Sequence, residues 1–293
     1  MKNTEKKDED LVKIVQPLVD WYRENKRDLP WRHNPDAYRV WISEIMLQQT
    51  RVEAVKGYYD RFLKALPTVK DLAEAEEDKL LKLWEGLGYY NRVRNMQKAA
   101  QQIMVDHEGI FPDTYEEILQ LKGIGNYTAG AISAFAYGIP KPAVDGNVLR
   151  VISRITGSYE DIMKQSVRKK IENVLEQVIP PNAASDFNQG LIELGAIVCV
   201  PNGEPKCEEC PVKEYCIACK ENLTTEIPVK KKAKTRKIEE RTILIFKDGK
   251  QIAIRKRPAK GLLAGLYEFP NVEGKLSMDE VTEYSKTIGL MPV

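Results

Sequence analysis

Long apolar runs and a strong excess of charge are both missing from this chain of 293 residues. No apolar stretch is long enough to span a bilayer, which excludes a helical membrane protein. The N-terminus is charged (MKNTEKKDED) and has no hydrophobic segment behind it, which excludes a secretory signal. We therefore expect a cytoplasmic protein without a membrane partner. Lysine and arginine number 45 against 43 acidic residues, so the overall charge says little about partners.

Histidine is scarce, and cysteine is absent outside one short region. The two histidines, His33 and His107, lack ligand spacing, so we expect both to be structural or surface residues. All five cysteines lie between residues 199 and 219. Because disulfides are rare in a cytoplasmic protein, this density of thiols indicates a metal site.

Two kinds of metal site fit the cysteine spacing. Zinc is one interpretation, held by the pairs Cys207/Cys210 and Cys216/Cys219, but only five residues separate these pairs, which is short for a zinc ribbon or finger. An all-cysteine [4Fe-4S] loop over residues 199–219 is the favoured interpretation.

The most informative pattern lies in the middle of the chain. Thr114 and Glu117 have the spacing of a capping box, which predicts the start of a short helix. Gly123 and Gly125 follow, and both are expected to take the positive φ values of a tight hairpin. A second helix is predicted from Tyr127 to Tyr137, with small residues that let its backbone approach the first helix closely. Such a helix-hairpin-helix presents backbone N–H groups to DNA phosphate, whereas an ordinary helical corner is the alternative.

A carboxylate stands just beyond this hairpin. The stretch Val144-Asp145-Gly146-Asn147 places Asp145 at a loop-to-helix junction, ahead of a helix predicted through Val148 and Ile155. Asp145 is expected to cap that helix, and capping is compatible with a catalytic role.

A second carboxylate, Glu44, lies within a helix predicted over residues 38–55. Its bulky apolar neighbours are expected to raise its pKa by desolvation, as a general acid requires. Gln48 and Arg51 follow on the same face, a row that is typical of a solvated polar stripe. Three further residues widen this row into a cluster of hydrogen-bonding groups that is suited to reading base edges: Ser43, Gln49 and Thr50.

Two loops combine aromatic residues with arginine or glycine. Arg27, Trp31 and Arg32 suit phosphate contact and base stacking, although a surface loop anchored by a buried tryptophan is the alternative. The turn over residues 86–90 carries two glycines and then paired tyrosines. One of these tyrosines is a candidate wedge between base pairs, and a plain loop anchor is the alternative.

The composition changes after residue 228. Six lysines and arginines within residues 229–237 mark a linker. Beyond it a β-hairpin is predicted from residues 242–246 and 251–254, around the turn Asp248-Gly249. This unit is α/β in style and short for a core of its own.

These motifs together resemble a known family. The helix-hairpin-helix, the Val-Asp-Gly-Asn loop and the late cysteines are similar to the endonuclease III superfamily of base-excision DNA glycosylases. Within it, four segments of this chain resemble the MutY-type adenine glycosylases: SEIMLQQTRV, WEGLGYYNRVRN, GIGNYTAGAI and FNQGLIELGA. The resemblance implies a mainly α, two-lobed helix-hairpin-helix glycosylase domain over residues 1–228 with a [4Fe-4S] loop. It also implies a basic linker over 229–239 and a partial α/β Nudix-like unit over 240–293, in which the Nudix box of clustered glutamates is absent.

The resemblance also implies roles for individual residues. Glu44 protonates the departing adenine and Asp145 stabilises the sugar cation, while Tyr127 and Asn147 orient the two carboxylates. Bifunctional endonuclease III enzymes carry a lysine nucleophile where this chain has Tyr127, so a monofunctional glycosylase is expected. The implied DNA contacts are Arg27, Trp31, Arg32, Leu47, Gln48, Gln49, Thr50, Tyr89, Gly123 and Gly125. The implied cluster ligands are Cys199, Cys207, Cys210 and Cys216, with seven rather than the usual six residues after Cys199, and Cys219 is spare.

The expected substrate is double-stranded DNA with adenine opposite 8-oxoguanine or guanine, bound by a monomer at a bacterial-type nucleoid. One rival is a related glycosylase for oxidised pyrimidines, which Tyr127 and the Gln48-Gln49 pair disfavour. The other is a catalytically silent DNA-binding homologue, which the presence of both Glu44 and Asp145 disfavours.

Overall fold

The computed structural model describes residues 11–231, 238–258 and 261–290. These residues form two compact units, one within 11–231 and the other from 238–258 with 261–290. The N-terminal tail and most of the predicted basic linker lie outside the described residues. Within the described part of the chain, no helix combines the length and the apolar character needed to cross a bilayer.

The first unit is built of helices. They are α1 (Val15–Asn25), α2 (Ala37–Leu47), α3 (Val52–Ala65), α4 (Val69–Ala73), α5 (Glu77–Trp84), α6 (Asn91–Asp106), α7 (Tyr115–Gln120), α8 (Asn126–Tyr137), α9 (Gly146–Ile155), α10 (Gln165–Val178), α11 (Ala184–Ile197) and α12 (Ile217–Lys220). Short 3-10 turns lie at Pro30–Arg32, Cys207–Glu209 and Lys213–Tyr215.

Two separate apolar cores divide this unit into two lobes. The first lobe packs residues between 29 and 132. The second packs residues between 144 and 227 together with residues 11–19, so α1 belongs to the second lobe. The chain therefore crosses between the lobes twice, once after α1 and once after α8. The largest fully buried side chains are Trp41, Trp84 and Phe62 in the first lobe, Phe187 in the second, and Tyr22 of α1.

The predicted helix-hairpin-helix is present as α7 and α8. The Thr114 hydroxyl accepts the backbone N–H of Glu117 at 3.3 Å and donates to its carboxylate at 2.6 Å, which confirms the cap. Gly123 has the expected positive φ of 81°, and a Cβ there would lie 2.7 Å from the Cβ of Asn95. The expectation for Gly125 is wrong, because its φ of −111° is the ordinary extended backbone of a helix N-cap.

The small residues of α8 also serve a contact that the sequence did not indicate. We expected them to bring α8 close to α7, but a Cβ on Gly130 would lie 2.0 Å from the carbonyl oxygen of Pro142. At this point α8 approaches the backbone of the segment that leads to Asp145. Asn188 of α11 holds the same segment by accepting the N–H of Ala143 at 2.9 Å. The position of Asp145 therefore depends on both α8 and α11.

The single helix predicted over residues 38–55 is wrong, because residues 48–51 separate α2 from α3. The guanidinium of Arg92, on α6, donates to the carbonyl of Ile45 at 2.7 Å and to that of Gln48 at 2.6 Å. A continuing helix would use these carbonyls itself. The polar cluster after Leu47 therefore lies on a loop rather than on a helix face.

The second unit contains three short antiparallel strand pairs in its described part. They are β1 (Arg241–Ile243) with β6 (Asn271–Glu273), β2 (Lys247–Asp248) with β3 (Gln251–Ile252), and β4 (Arg255–Lys256) with β5 (Tyr267–Glu268), followed by α13 (Met278–Thr287). The predicted hairpin is confirmed only beside its turn, where β2 pairs with β3. Thr242 pairs with Val272 instead, because turn chemistry specifies only the residues next to the turn.

We predict that Gly130→Ala destabilises the first unit by about 1–3 kcal/mol, because its Cβ would overlap the Pro142 carbonyl and force the backbone apart. Urea unfolding followed by helical circular dichroism measures this. Gly57→Ala, within α3, is the matched control: its Cβ would meet only the flexible end of Arg61 at 3.4 Å. A helix-interior alanine there is expected to stabilise by about 0.5–1 kcal/mol. Equal behaviour of the two variants would contradict the close packing at Pro142.

Candidate active site

A cleft of about 700 Å³ has walls from both lobes of the first unit. The first lobe contributes α2 and the loop after it, and the second contributes the start of α9 and the middle of α11. The lining residues that the sequence singled out are Arg27, Trp31, Arg32, Ser43, Glu44, Leu47, Gln48, Gln49, Thr50, Tyr127, Asp145 and Asn147. The two carboxylates, which come from different lobes, therefore face the same cleft.

Glu44 is a buried acid at this cleft. Its residue is 6% exposed, within the apolar α2. Burial raises the pKa of Glu44 from 4.5 to about 7, and the neighbouring Asp145 acts in the same direction. The hydroxyl of Tyr127 donates to its Oε2 at 2.5 Å and, with Arg32, limits the rise. A carboxyl with a pKa near neutrality can hold a proton and release it at physiological pH.

Asp145 occupies a different environment at the N-terminus of α9. Its Oδ1 accepts the backbone N–H groups of Asn147 and Val148, both at 2.8 Å, and its Oδ2 accepts the side-chain amide of Asn147 at 2.7 Å. Burial raises the pKa of Asp145 above its ordinary value, and these three hydrogen bonds and the nearby Arg150 offset the rise only in part. All three donors favour the carboxylate form. The capping role predicted from the sequence is confirmed.

Asn147 connects Asp145 to the cysteine region through a buried arginine. Its side-chain oxygen accepts from Arg150 at 2.9 Å, and Arg150 also donates to the carbonyl of Cys199 at 2.9 Å. Gly195 of α11 makes room for this arrangement, because a Cβ there would lie 2.6 Å from the Cβ of Asn147. The orientation of Asp145 is therefore tied to the end of α11.

Arg27 and Arg32 require a correction. We expected both guanidinium groups to contact phosphate, but both bind the fully buried Glu193 of α11 at 2.7–2.9 Å. Burial raises the pKa of Glu193, but these hydrogen bonds outweigh the effect of burial and lower the pKa to about 2. Arg32 also donates to Gln189 at 3.1 Å. One carboxylate thus offsets half of their positive charge, and its hydrogen bonds hold both guanidinium groups within the cleft, where they are suited to shaping a bound group rather than to holding a DNA backbone.

Trp31 and the loop after α2 form the rest of the wall. Trp31 is 7% exposed and packs edge-on against Tyr59, with ring centroids 5.6 Å apart. It therefore anchors the loop, as in the alternative interpretation. It also faces the cleft. Leu47, Gln48 and Thr50 are half-buried and line the same cavity.

Gln49 and Tyr89, both implied DNA contacts, are exposed at the tips of neighbouring loops. Tyr89 is 63% exposed. Both have a left-handed backbone, with φ of 61° for Gln49 and 47° for Tyr89. A non-glycine residue pays roughly 1–2 kcal/mol for this conformation, so the surrounding structure must hold it. Gly123 and Gly125 are likewise exposed, at the hairpin.

All five cysteines line one small pocket beside α9 and the end of α11. None forms a disulfide. Arg154 of α9 donates to the sulfur of Cys199 at 3.2 Å and to the carbonyl of Thr224 at 2.9 Å. Among the residues described, no three cysteine, histidine, aspartate or glutamate side chains are placed to hold a single metal ion.

Three residues that hold the walls of the site were given no role from the sequence: Gln189, Glu193 and Arg92. A signal existed for the first two, because they lie four residues apart in one helix, among Leu191, Ile192 and Leu194, and so share a face. Arg92 gave no such signal, since it stands among other polar residues of an amphipathic helix.

Comparison with known proteins shows which protein family this chain is similar to. The HhH-GPD superfamily of base excision DNA repair proteins matches residues 42–177. The chain is 38% identical over 261 residues to the adenine DNA glycosylase of Buchnera aphidicola subsp. Acyrthosiphon pisum, covering 89% of this chain and 74% of that protein. It is also 38% identical over 300 residues to the adenine DNA glycosylase of Arabidopsis thaliana, covering 89% of this chain and 47% of that longer protein.

A solved structure agrees with the sequence matches. A thermostable thymine-DNA glycosylase superposes with a TM-score of 0.65 at 30% identity, covering 74% of this chain and 99% of that one. The expectation of a mainly helical helix-hairpin-helix glycosylase fold is therefore confirmed, and so is the resemblance on which it was based.

We predict that Glu44→Gln stabilises the protein increasingly as the pH rises. The unfolded glutamate ionises at its ordinary pKa of 4.5 and the folded one at about 7, so ionisation weakens folding as the pH rises between these values. The gain should be small near pH 5 and on the order of 2–3 kcal/mol above pH 7. Urea unfolding at several pH values measures it. The hydroxyl of Tyr127 can still donate to the amide oxygen.

Glu193→Gln is the control with the opposite sign. Because the pKa of Glu193 is lowered to about 2, its ionised form stabilises the fold above the ordinary value of 4.5 and loses this effect as the pH falls towards 2. This variant should therefore be destabilised at neutral pH. If the free energies of unfolding of Glu44→Gln and of the unmodified chain differed by the same amount at all pH values, the raised pKa of Glu44 would be contradicted.

Proposed function

We propose, on the premise that this chain belongs to the adenine DNA glycosylase family of helix-hairpin-helix base-excision repair proteins, that it releases adenine from pairs with 8-oxoguanine or guanine in duplex DNA. The observation that carries the proposal is the pair of carboxylates in one cleft. One is a buried acid with a pKa of about 7, and the other is held by three hydrogen-bond donors. Hydrolysis of a glycosidic bond needs two acidic groups with opposite protonation states.

In this proposal Glu44 is the general acid. Its proton passes to the ring of the extruded adenine, because a neutral base leaves more readily than an anion. General acid help of this kind contributes roughly 10²–10⁴-fold in rate. Tyr127 supplies a hydrogen bond that orients the Glu44 carboxyl.

Asp145 has the complementary role. As a carboxylate it stabilises the cation that develops on the sugar, either electrostatically or by transient covalent attack, and water completes the hydrolysis. Asn147 orients it through the hydrogen bonds described above. The second lobe thus supplies the negative charge, and the first supplies the proton.

The adenine must leave the stack before it can reach this cleft. Gln49 and Tyr89 are exposed next to the cleft loop and would occupy the space that the base vacates. The exposed hairpin at Gly123 and Gly125 would bind phosphate through backbone N–H groups. Arg27 and Arg32, engaged by Glu193, would instead line the pocket for the base.

The position of Tyr127 bears on the reaction type. A lysine at this position would supply the amine for a Schiff base, whereas a tyrosine hydroxyl bound to Glu44 does not. We therefore propose a monofunctional glycosylase that leaves the abasic strand uncut. A silent homologue is disfavoured because both carboxylates face one cleft, and a glycosylase for oxidised pyrimidines is disfavoured by Tyr127 and the Gln48-Gln49 pair.

We propose a [4Fe-4S] cluster held by Cys199, Cys207, Cys210 and Cys216, which fixes a loop that contacts DNA. Each iron of such a cluster takes one thiolate, so its ligands need not converge on a single point. The five thiols lining one pocket, with the cationic Arg154 beside Cys199, suit an anionic sulfur-ligated cluster. Cys219 is then spare.

For the second unit we propose a partial Nudix-like domain that favours 8-oxoguanine over guanine opposite the adenine. Its short strand pairs and the capped helix α13 agree with the α/β character expected from the sequence. The proposal also includes a monomer acting on nucleoid DNA in a bacterial-type cytoplasm.

The proposed function predicts single-turnover release of adenine from duplexes containing A opposite 8-oxoguanine or A opposite guanine, and none from oxidised pyrimidines. Glu44→Gln and Asp145→Asn should each lower the rate by roughly 10²-fold or more, with DNA affinity nearly unchanged because binding rests on other groups. Asparagine can still cap α9, so Asp145→Asn should remain folded.

Near-normal turnover by Glu44→Gln would remove this residue from the mechanism. Collapse of the unfolding temperature in Asp145→Asn would reduce Asp145 to a helix cap. Activity confined to oxidised pyrimidines would replace the proposed substrate.

The cluster predicts brown protein with about four irons per chain. Cys216→Ser should lose most of the iron, because it removes a proposed ligand, whereas Cys219→Ser should keep it. Iron and zinc are measured by elemental analysis of the purified variants. Colourless protein that carries a single zinc would overturn the cluster, and iron loss in Cys219→Ser but not in Cys199→Ser would change the ligand set.

A further inference from the structure

The two exposed loop tips at Gln49 and Tyr89 share one feature of the backbone. Each tip is a non-glycine residue with a positive φ, 61° and 47° respectively. Such conformations persist only where neighbouring groups impose them. The tips lie forty residues apart in sequence on different loops, so a contact between the loops is needed to fix both at once.

Arg92 makes that contact. Its Nη1 donates to the carbonyl of Ile45 in the last turn of α2 at 2.7 Å and to that of Gln48, in the loop that carries Gln49, at 2.6 Å. Its Nη2 donates to the carbonyls of Leu87 and Gly88 at 3.1 and 3.3 Å, immediately before Tyr89. One planar guanidinium therefore binds both loops, each through a different nitrogen.

The aromatic rings around Arg92 complete this arrangement. Its guanidinium carbon lies 5.4 Å from the ring centroid of Trp84 and 5.5 Å from that of Tyr89. Trp84 is fully buried and donates from its indole nitrogen to the carbonyl of Gly88 at 3.0 Å. The exposed Tyr89 is thus connected to the core of the first lobe through Arg92 and Trp84.

The arrangement is costly for stability. The Nε of Arg92 is buried and has no hydrogen-bond partner within the described part of the chain. Burial also lowers the pKa of Arg92. A buried donor without a partner and two strained loop tips are features that packing alone would not select, and they are typical of functional sites.

We propose that Arg92 is a positioning residue that holds Gln49 and Tyr89 at a fixed separation, so that both enter the DNA stack together when the adenine is extruded. This inference rests on the proposed function. Lysine cannot replace the arginine, because an ammonium group cannot place two donors on two loops in fixed directions.

Extrusion is measured separately from chemistry in the Glu44→Gln background, where the base is not released. A 2-aminopurine next to the target adenine becomes fluorescent when its stacking is lost. Adding Arg92→Lys should slow this signal roughly tenfold to a hundredfold, as for a displaced positioning group. Single-turnover excision by Arg92→Lys alone should fall by a similar factor.

Arg94→Lys is the matched control. Arg94 is on the same helix and its guanidinium binds Glu77 at the surface at 2.9 Å. It should show normal extrusion and excision. Thermal unfolding of both variants is compared first, and the assays are run at a temperature where both are folded.

A double-mutant cycle separates positioning from a general structural effect. If Arg92 acts through Tyr89, Arg92→Lys should slow extrusion much less in a Tyr89→Ala background than in its presence. Unchanged extrusion in Arg92→Lys, or an equal loss with and without Tyr89, would overturn the inference. Lack of adenine release by the unmodified chain would instead contradict the proposed function, so the two failures are distinguishable.

Discussion

The removal of the Glu44 carboxyl from water is the constraint on which the site depends. A buried carboxylate is costly unless it is neutralised or supplied with donors, and among the described residues Glu44 has one donor, the hydroxyl of Tyr127. Its pKa therefore rises to about 7. The apolar residues of α2 that bury it also build the first core, so the same packing that stabilises the lobe creates the acid.

The second lobe holds the acid that the proposed reaction requires in its ionised form. Asp145 is also largely withdrawn from solvent, but the N-terminus of α9 and the Asn147 amide give it three donors. Pro142 packs against Gly130 of the helix that carries Tyr127. The packing that joins the lobes thus positions one acid relative to the other, and the cleft between them follows from it.

Local chemistry in the sequence was sufficient for the features that depend on neighbouring residues. The caps at Thr114 and Asp145, the hairpin glycine Gly123 and the apolar surroundings of Glu44 are all set within a few positions of the chain. The errors have a different origin. The break after α2 depends on Arg92, more than forty residues away, and the partner of Arg27 and Arg32 is Glu193, more than 160 residues away. Periodicity and spacing carry no information about such pairs.

The central claim is that burial raises the pKa of Glu44 to near neutrality, so that a large fraction of the carboxyl groups carries a proton at physiological pH. Carbon-13 NMR of glutamate side-chain carboxyls tests it most directly, with the Glu44 signal assigned by its loss in Glu44→Gln. The account predicts a titration midpoint near 7, well above the ordinary value of 4.5. A midpoint at the ordinary value would contradict it, because Glu44 would then be ionised at neutral pH and unable to protonate a departing base.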